Sequence, residues 1–233
     1  MDTLSHAAAD RFVMLASRYL ETTGKFNVAL AGGGTPRSLY QLLASVEYRG
    51  RIDWSGVSFY FGDERSVPQE HADSNYRMAR ESLLDRIPIT REQVFPFETR
   101  LDVRKAAAEY ARLLQRNLPK ADGLPKFDLV LLGMGDDGHT ASLFPGTCIL
   151  HDDRLAAAVY VEKLKTWRLS LTYPVINNAD HIMFLISGES KAQVMQQLSQ
   201  NTESHFPVSR IDARDELLWL LDEAAASTME TTR

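Results

Sequence analysis

Cysteine is nearly missing from this chain of 233 residues; Cys148 is the only one, so no internal disulfide can form. A lone thiol in a chain of this size fits a reducing, cytoplasmic setting. In the sequence GTCIL, without a basic partner nearby, it reads as a buried structural thiol rather than a nucleophile. Long apolar runs are missing too. None approaches the roughly 20 residues that a helix needs to cross a bilayer, and the start, MDTLSHAAADRFV, has neither the basic end nor the apolar core of a signal peptide. Positive charge is in deficit, with 26 Lys and Arg against 31 Asp and Glu and a net charge of −5. That balance excludes general affinity for nucleic acid and leaves room for an anionic small substrate only where arginine and lysine gather locally. Clustered histidines are absent: His6, His71, His151, His181 and His205 show no HxxxH or HxH spacing, so no metal is expected. No long linker, repeat or low-complexity tract divides the chain, and the Pro/Gly-bearing stretch 118–126 is loop-sized. Residues 1–233 read as one domain.

What is present is an alternation of apolar strand-like runs with helix-period segments, which predicts an α/β fold built on a largely parallel, doubly wound sheet with helices on both faces. Ser5 is placed to cap a first helix that carries Phe12, Leu15, Ala16, Tyr19 and Leu20 and closes at Gly24. Strands are expected at 27–31, 57–61, 128–132, 157–161, 168–172 and 181–188, and the segment LLWLLDEAAA adds a last strand or short helix. Helices are expected from Thr35, with Pro36 at its first position and Leu39, Leu42, Leu43 and Val46 inward, from Ser74, over 102–118 and over 189–199.

Two glycine-rich turns follow strands. Gly32, Gly33, Gly34 and Thr35 open a helix, so backbone N–H groups and a hydroxyl converge where an anion binds well. The lysine of a Walker loop is absent, which excludes that route to nucleotide hydrolysis. The second turn lies in FDLVLLGMGDDGHTASLFP, at 127–145. Gly133, Gly135 and Gly138 match G-x-G-x-x-G literally, but Asp136 and Asp137 would face an anionic pyrophosphate and no clean helix follows before Pro145. The dinucleotide reading therefore fails. His139, on a glycine turn with Asp137 two residues upstream to orient its ring, reads as an acid–base catalyst. Ser142 lies in ASLFP, which is not the G-x-S-x-G elbow of a serine hydrolase. Asp63, Glu64 and Arg65 follow the strand at 57–61; Glu64 reads as part of a solvated loop, whereas Arg65 stands near the anion loop. Arg168 and Lys191 complete a basic set able to neutralise a phosphate in an otherwise acidic protein.

The blocks VALAGGGTPRSLY, FYFGDERSVPQEHADSNYRMA, DLVLLGMGDDGHTASLFPGT and RLSLTYPVINNADHIMFLISGESKA, in this order over about residues 27–195, resemble the 6-phosphogluconolactonase family. That family shares its fold with glucosamine-6-phosphate deaminases. The resemblance implies hydrolysis of 6-phospho-D-glucono-1,5-lactone to 6-phospho-D-gluconate in the pentose phosphate pathway, with no metal or organic cofactor, no nucleic-acid or membrane partner, a cytoplasmic location and a monomer or small homo-oligomer. It makes His139 the general base beside Asp137, places Gly33, Gly34 and Thr35 in the phosphate-facing loop, and sets Arg65, Arg168 and Lys191 near the substrate phosphate. Asp63 matches a loop carboxylate that is catalytic in the deaminase branch. Deaminases resemble GHIAFNEP after the same histidine and use its glutamate; this chain has Leu143 and Phe144 there, which favours the lactonase over a deaminase or isomerase. A sugar-phosphate-sensing domain is the alternative from outside enzymology.

Overall fold

A computed structural model describes residues 3–200 and 205–229 of the chain. In order, these form α1 (Thr3–Thr23), β1 (Phe26–Leu30), α2 (Gly34–Leu43), α3 (Val46–Arg49), β2 (Val57–Phe61), β3 (Asp63–Arg65), α4 (Asn75–Ser82), α5 (Val103–Asn117), β4 (Lys120–Ala121), β5 (Leu124–Pro125), β6 (Leu129–Leu132), β7 (Ala156–Val161), β8 (Thr166–Leu171), α6 (Tyr173–Ile176), β9 (His181–Ile186), α7 (Ala192–Ser199) and β10 (Glu216–Leu221). Five strands make a wholly parallel sheet in the order β10-β9-β6-β1-β2. Every residue of β1, β6 and β9 is buried, so both faces of the sheet centre are covered, as the uninterrupted apolar runs require. No helix among the described residues is long and apolar enough to cross a membrane.

The sheet's order decides where a site can form. From β1 the chain moves outward to β2, then returns to the other side of β1 to lay down β6 and continues outward through β9 and β10. The direction reverses between β1 and β6, which pair in parallel through Val28–Leu129 and Ala29–Val130. Ligands of open α/β sheets bind in the crevice beyond the carboxyl ends of strands at such a reversal. The two glycine turns, 32–34 and 133–138, leave β1 and β6 at this point.

A second sheet, in the order β3-β8-β7, is antiparallel. The sequence pattern places β7 and β8 as strands but not in a sheet of their own, and takes the residues of β3 for loop. β3 is only three residues long, too short to show a period, and the β7–β8 connection turns at Lys165 in left-handed conformation (φ 48°) without a glycine to announce it. Gly62 joins the sheets: its N–H donates to Leu30 O at 2.9 Å and its carbonyl accepts from Leu171 N at 2.8 Å.

Three helix starts or ends differ from expectation. The first helix already includes Thr3, so Ser5 is buried inside its first turns rather than capping it, while Gly24 does close it (φ 71°), its N–H on Leu20 O at 3.0 Å. Gly33, not Thr35, caps α2; its φ of 107° is open to glycine, which lets the helix begin before Thr35 and moves Pro36 into the first turn. Val46 belongs to α3 and is 90% exposed, because α2 ends at Leu43. Cys148 is exposed, not buried.

Candidate active site

A cleft of about 470 Å³ opens over the strand reversal, lined among others by Gly33, Gly34, Thr35, Asp63, Arg65, His139, Arg168 and Lys191. Asp137 is not part of this lining, but it bonds to His139. The sequence-derived set is thus brought together from five separate stretches of chain.

The first glycine turn is held from both sides. Tyr40 of α2, fully buried, accepts a hydrogen bond from Ala31 N and donates to Ala31 O, both at 2.9 Å, fixing the end of β1. Burial pushes that phenol well above its ordinary range, so it stays neutral and able to do both. Gly32 is crossed so closely by Asn75 that a Cβ there would lie 2.0 Å from its Oδ1. Beyond, Gly34 and Thr35 at the start of α2, whose N–H groups have no partner within the helix, line the cleft.

Arg65 and Arg168 stand directly opposite each other on β3 and β8. Arg65 Nη1 donates to Asp73 O at 2.5 Å. The Arg168 side chain has no hydrogen-bond or ion-pair partner among the described residues, and the Nε atoms of both arginines are buried and unpartnered. Burial and the facing Arg65 charge push the Arg168 guanidinium below its ordinary range. An anion between them relieves both costs. Lys191 enters from the turn after β9, where Asp222 accepts from Ser187 Oγ at 2.5 Å and from Gly188 N at 3.0 Å.

Glu64, between Asp63 and Arg65 on β3, is not solvated. It is 1% exposed and accepts from Arg65 N (2.8 Å), Ser74 Oγ (3.0 Å), Asn75 N (2.7 Å) and Tyr76 N (2.8 Å). The carboxylate thereby takes up orphan donors at the start of α4 and locks that helix to β3. Burial raises its pKa, against the lowering effect of those backbone donors. The alternation of β3, which turns Asp63 and Arg65 to one side and Glu64 to the other, explains the split. Asp63 accepts from Ser142 Oγ at 2.7 Å and Asn75 Nδ2 at 3.0 Å, joining the first and second glycine turns.

In the second turn Gly135 N bonds His139 O at 2.8 Å and Thr140 Oγ1 donates to Gly133 O at 2.8 Å, closing a compact loop. His139 Nδ1 lies 2.5 Å from Asp137 Oδ1. Gly135 is obligatory here, since a Cβ would come within 2.1 Å of that Nδ1. The imidazole stacks on Phe144 with centroids 4.0 Å apart. With Nδ1 engaged, Nε2 is the ring nitrogen left for a ligand. Leu143 and Phe144, which follow the histidine turn, are both buried, so the chain places apolar groups there. Sequence reasoning missed Lys163, on the β7–β8 connection, which pairs with Asp137 Oδ2; 26 residues apart, the two show no local spacing. Burial favours the neutral Asp137 acid, yet hydrogen bonds from Lys163 and His139 prevail and hold its pKa at about 2.

Residues 1–219 match the family model described as glucosamine-6-phosphate isomerases/6-phosphogluconolactonase. The chain belongs to this family. A 6-phosphogluconolactonase of Nostoc sp. is 39% identical over 90% of this chain and 87% of that protein. The Rattus norvegicus 6-phosphogluconolactonase is 38% identical over 87% of this chain and 80% of that protein. Among solved structures, the 6-phosphogluconolactonase of Trypanosoma brucei superposes with a TM-score of 0.86 at 31% identity, covering 97% of this chain and 95% of that one.

Proposed function

We propose that this chain hydrolyses 6-phospho-D-glucono-1,5-lactone to 6-phospho-D-gluconate, a step of the pentose phosphate pathway, with His139 as the base that activates water. The observation that carries the reading is a single cleft holding an imidazole fixed at Nδ1 by Asp137 together with two facing arginines whose Nε atoms are buried and unpartnered.

A lactone is an activated ester, so three things suffice: removal of a proton from water, stabilisation of the oxyanion and return of a proton to the departing ring oxygen. The phosphate sits between Arg65, Arg168 and Lys191 and against Gly33, Gly34 and Thr35, and its binding presents the C1 carbonyl to His139. His139 Nε2 takes a proton from water as the oxygen of that water bonds to C1. The tetrahedral intermediate collapses, the bond from C1 to the ring oxygen breaks, and the imidazolium gives its proton to that oxygen. One water is consumed, the carboxylic acid and the C5 hydroxyl are formed, and the acid then loses its proton to solvent. Asp137, anionic throughout, holds the ring in the tautomer with the proton on Nδ1. No covalent enzyme intermediate is required. In this scheme Asp63 is a tether between the glycine turns rather than a base, both its oxygens being engaged.

The test uses freshly made 6-phosphogluconolactone and follows acid release above the spontaneous rate. Acceleration by the purified chain, its loss in His139→Ala, and no ammonia from glucosamine 6-phosphate are expected. A wild-type rate equal to the uncatalysed one overturns the assignment. His139→Ala protein that still binds 6-phosphogluconate but does not turn over separates catalysis from sensing.

A further inference from the structure

We propose that Lys163 is a positioning residue for this reaction, acting through Asp137 on the orientation of the His139 ring; the proposal rests on the reading of His139 as the base. Two contacts carry it. Lys163 Nζ pairs with Asp137 Oδ2 while His139 Nδ1 and His139 N both contact Asp137 Oδ1, so each carboxylate oxygen has its own fixed partner. The same ammonium lies 5.3 Å from the centroid of Phe144, the ring on which His139 stacks. One side chain thus touches both groups that fix the imidazole, one against its edge and one against its face.

Placement on the fold makes this informative. Lys163 sits on the turn between β7 and β8, part of the antiparallel sheet, whereas Asp137 and His139 sit on the turn after β6 of the parallel sheet. The Lys163 side chain is 49% exposed, where an ion pair adds little to stability and ordering a long side chain has an entropic cost. Its neighbour Leu164 also lines the cleft while 46% exposed, so the turn presents itself to the site instead of withdrawing into the core. The charged and titratable groups around the Asp137 carboxylate are Lys163 and His139 in contact and Asp136 next in the loop, with Asp63, Arg65, Arg168 and Lys191 elsewhere on the cleft wall. Lys163 is the only cation among them paired to Asp137 in the described residues. Without it Asp137 Oδ2 faces solvent, the carboxylate can rotate, and the proton on Nδ1 is less firmly held.

Lys163→Met and Lys163→Arg test this against wild type. Expected for Lys163→Met are a kcat reduced roughly tenfold, an unchanged KM, and an acid limb of the kcat–pH profile moved to higher pH, since Asp137 becomes more basic and favours the imidazolium. Lys163→Arg is expected to restore both kcat and the limb. Nitrogen-15 spectra of the ring, assigned by the signal lost in His139→Ala, are expected to show a single Nδ1-protonated tautomer in wild type and Lys163→Arg and a mixture in Lys163→Met. A Lys163→Met protein with wild-type kcat overturns the proposal. So does one that raises KM alone, which makes Lys163 a substrate contact, or one that lowers kcat with limb and ring spectrum unmoved, which makes it a mere anchor of the turn. Wild-type protein without lactonase turnover sinks the proposed function instead, and the ring spectra still report whether Lys163 sets the tautomer.

Discussion

Arg65 and Arg168 stand opposite each other with both Nε atoms buried and unpartnered, an arrangement that favours an anion beside them. Replacing one should therefore separate stability from binding. Arg168→Met is expected to raise KM by roughly 10- to 100-fold, the worth of a charge-assisted hydrogen bond. The melting temperature of the ligand-free protein should stay level or rise, because a desolvated and repelled charge has gone; steady-state kinetics and thermal melts check the pair. Asp137 yields a prediction in pH. Its folded pKa of about 2 lies below the ordinary 3.8, so its ion-pair stabilisation is present above about pH 4 and is lost as pH falls toward 2. Acid unfolding of Asp137→Asn should show less loss of stability over that window than wild type. An identical slope in the two proteins would count against the Lys163–Asp137–His139 chain.

Strand β3 shows how a three-residue element can organise a site. Glu64 Oε1 accepts from two backbone N–H groups, and Oε2 from a backbone N–H and a hydroxyl. In Glu64→Gln the amide must turn its –NH2 toward donors, and a cost of about 2 kcal/mol in urea unfolding is expected. Because Arg65 is the next residue, KM should rise as well. A variant as stable as wild type would show that the lock between β3 and α4 is not made by this carboxylate. Glu64 also marks the limit of what the sequence tells. The apolar runs of β1, β6 and β9 are long enough to announce buried parallel strands, and glycines plus a histidine mark the two turns of the site. Polar residues in GDERSVPQEHADSN look alike whether they meet water or bury against a helix start, since burial of Glu64 is decided by Ser74, Asn75 and Tyr76 folding back over it. Lys163 escaped for a related reason. Its partner is fixed by the approach of two sheets, and no spacing within either segment encodes that. Thr35 lies on the cleft wall but is not the cap expected from the sequence, because Gly33, at positive φ, can start the helix sooner.

At the scale of the whole molecule, an acidic protein with net charge −5 is proposed to take an anionic substrate, so the basic cleft works locally against a repulsive background. Bound 6-phosphogluconate should stabilise the fold, by about 2.7 kcal/mol at a hundredfold excess over its dissociation constant. Thermal melts in wild type and Arg168→Met, the second showing little shift, measure how much of that comes through the arginines. The two sheets meet at Gly62, whose N–H bonds to Leu30 on one side and whose carbonyl bonds to Leu171 on the other. That stitch has a bearing on how the protein comes apart. Fraying of either sheet at its active-site edge pulls on a residue that is bonded to the other, so we expect one cooperative transition. Trp167 of β8 and Trp219 of β10 offer a reporter in each sheet; followed singly in variants keeping one of them, they should lose native fluorescence at the same urea concentration. The surface that binds the substrate and the seam that holds the molecule together are then one place, and a ligand that steadies the cleft also slows the opening of the entire chain.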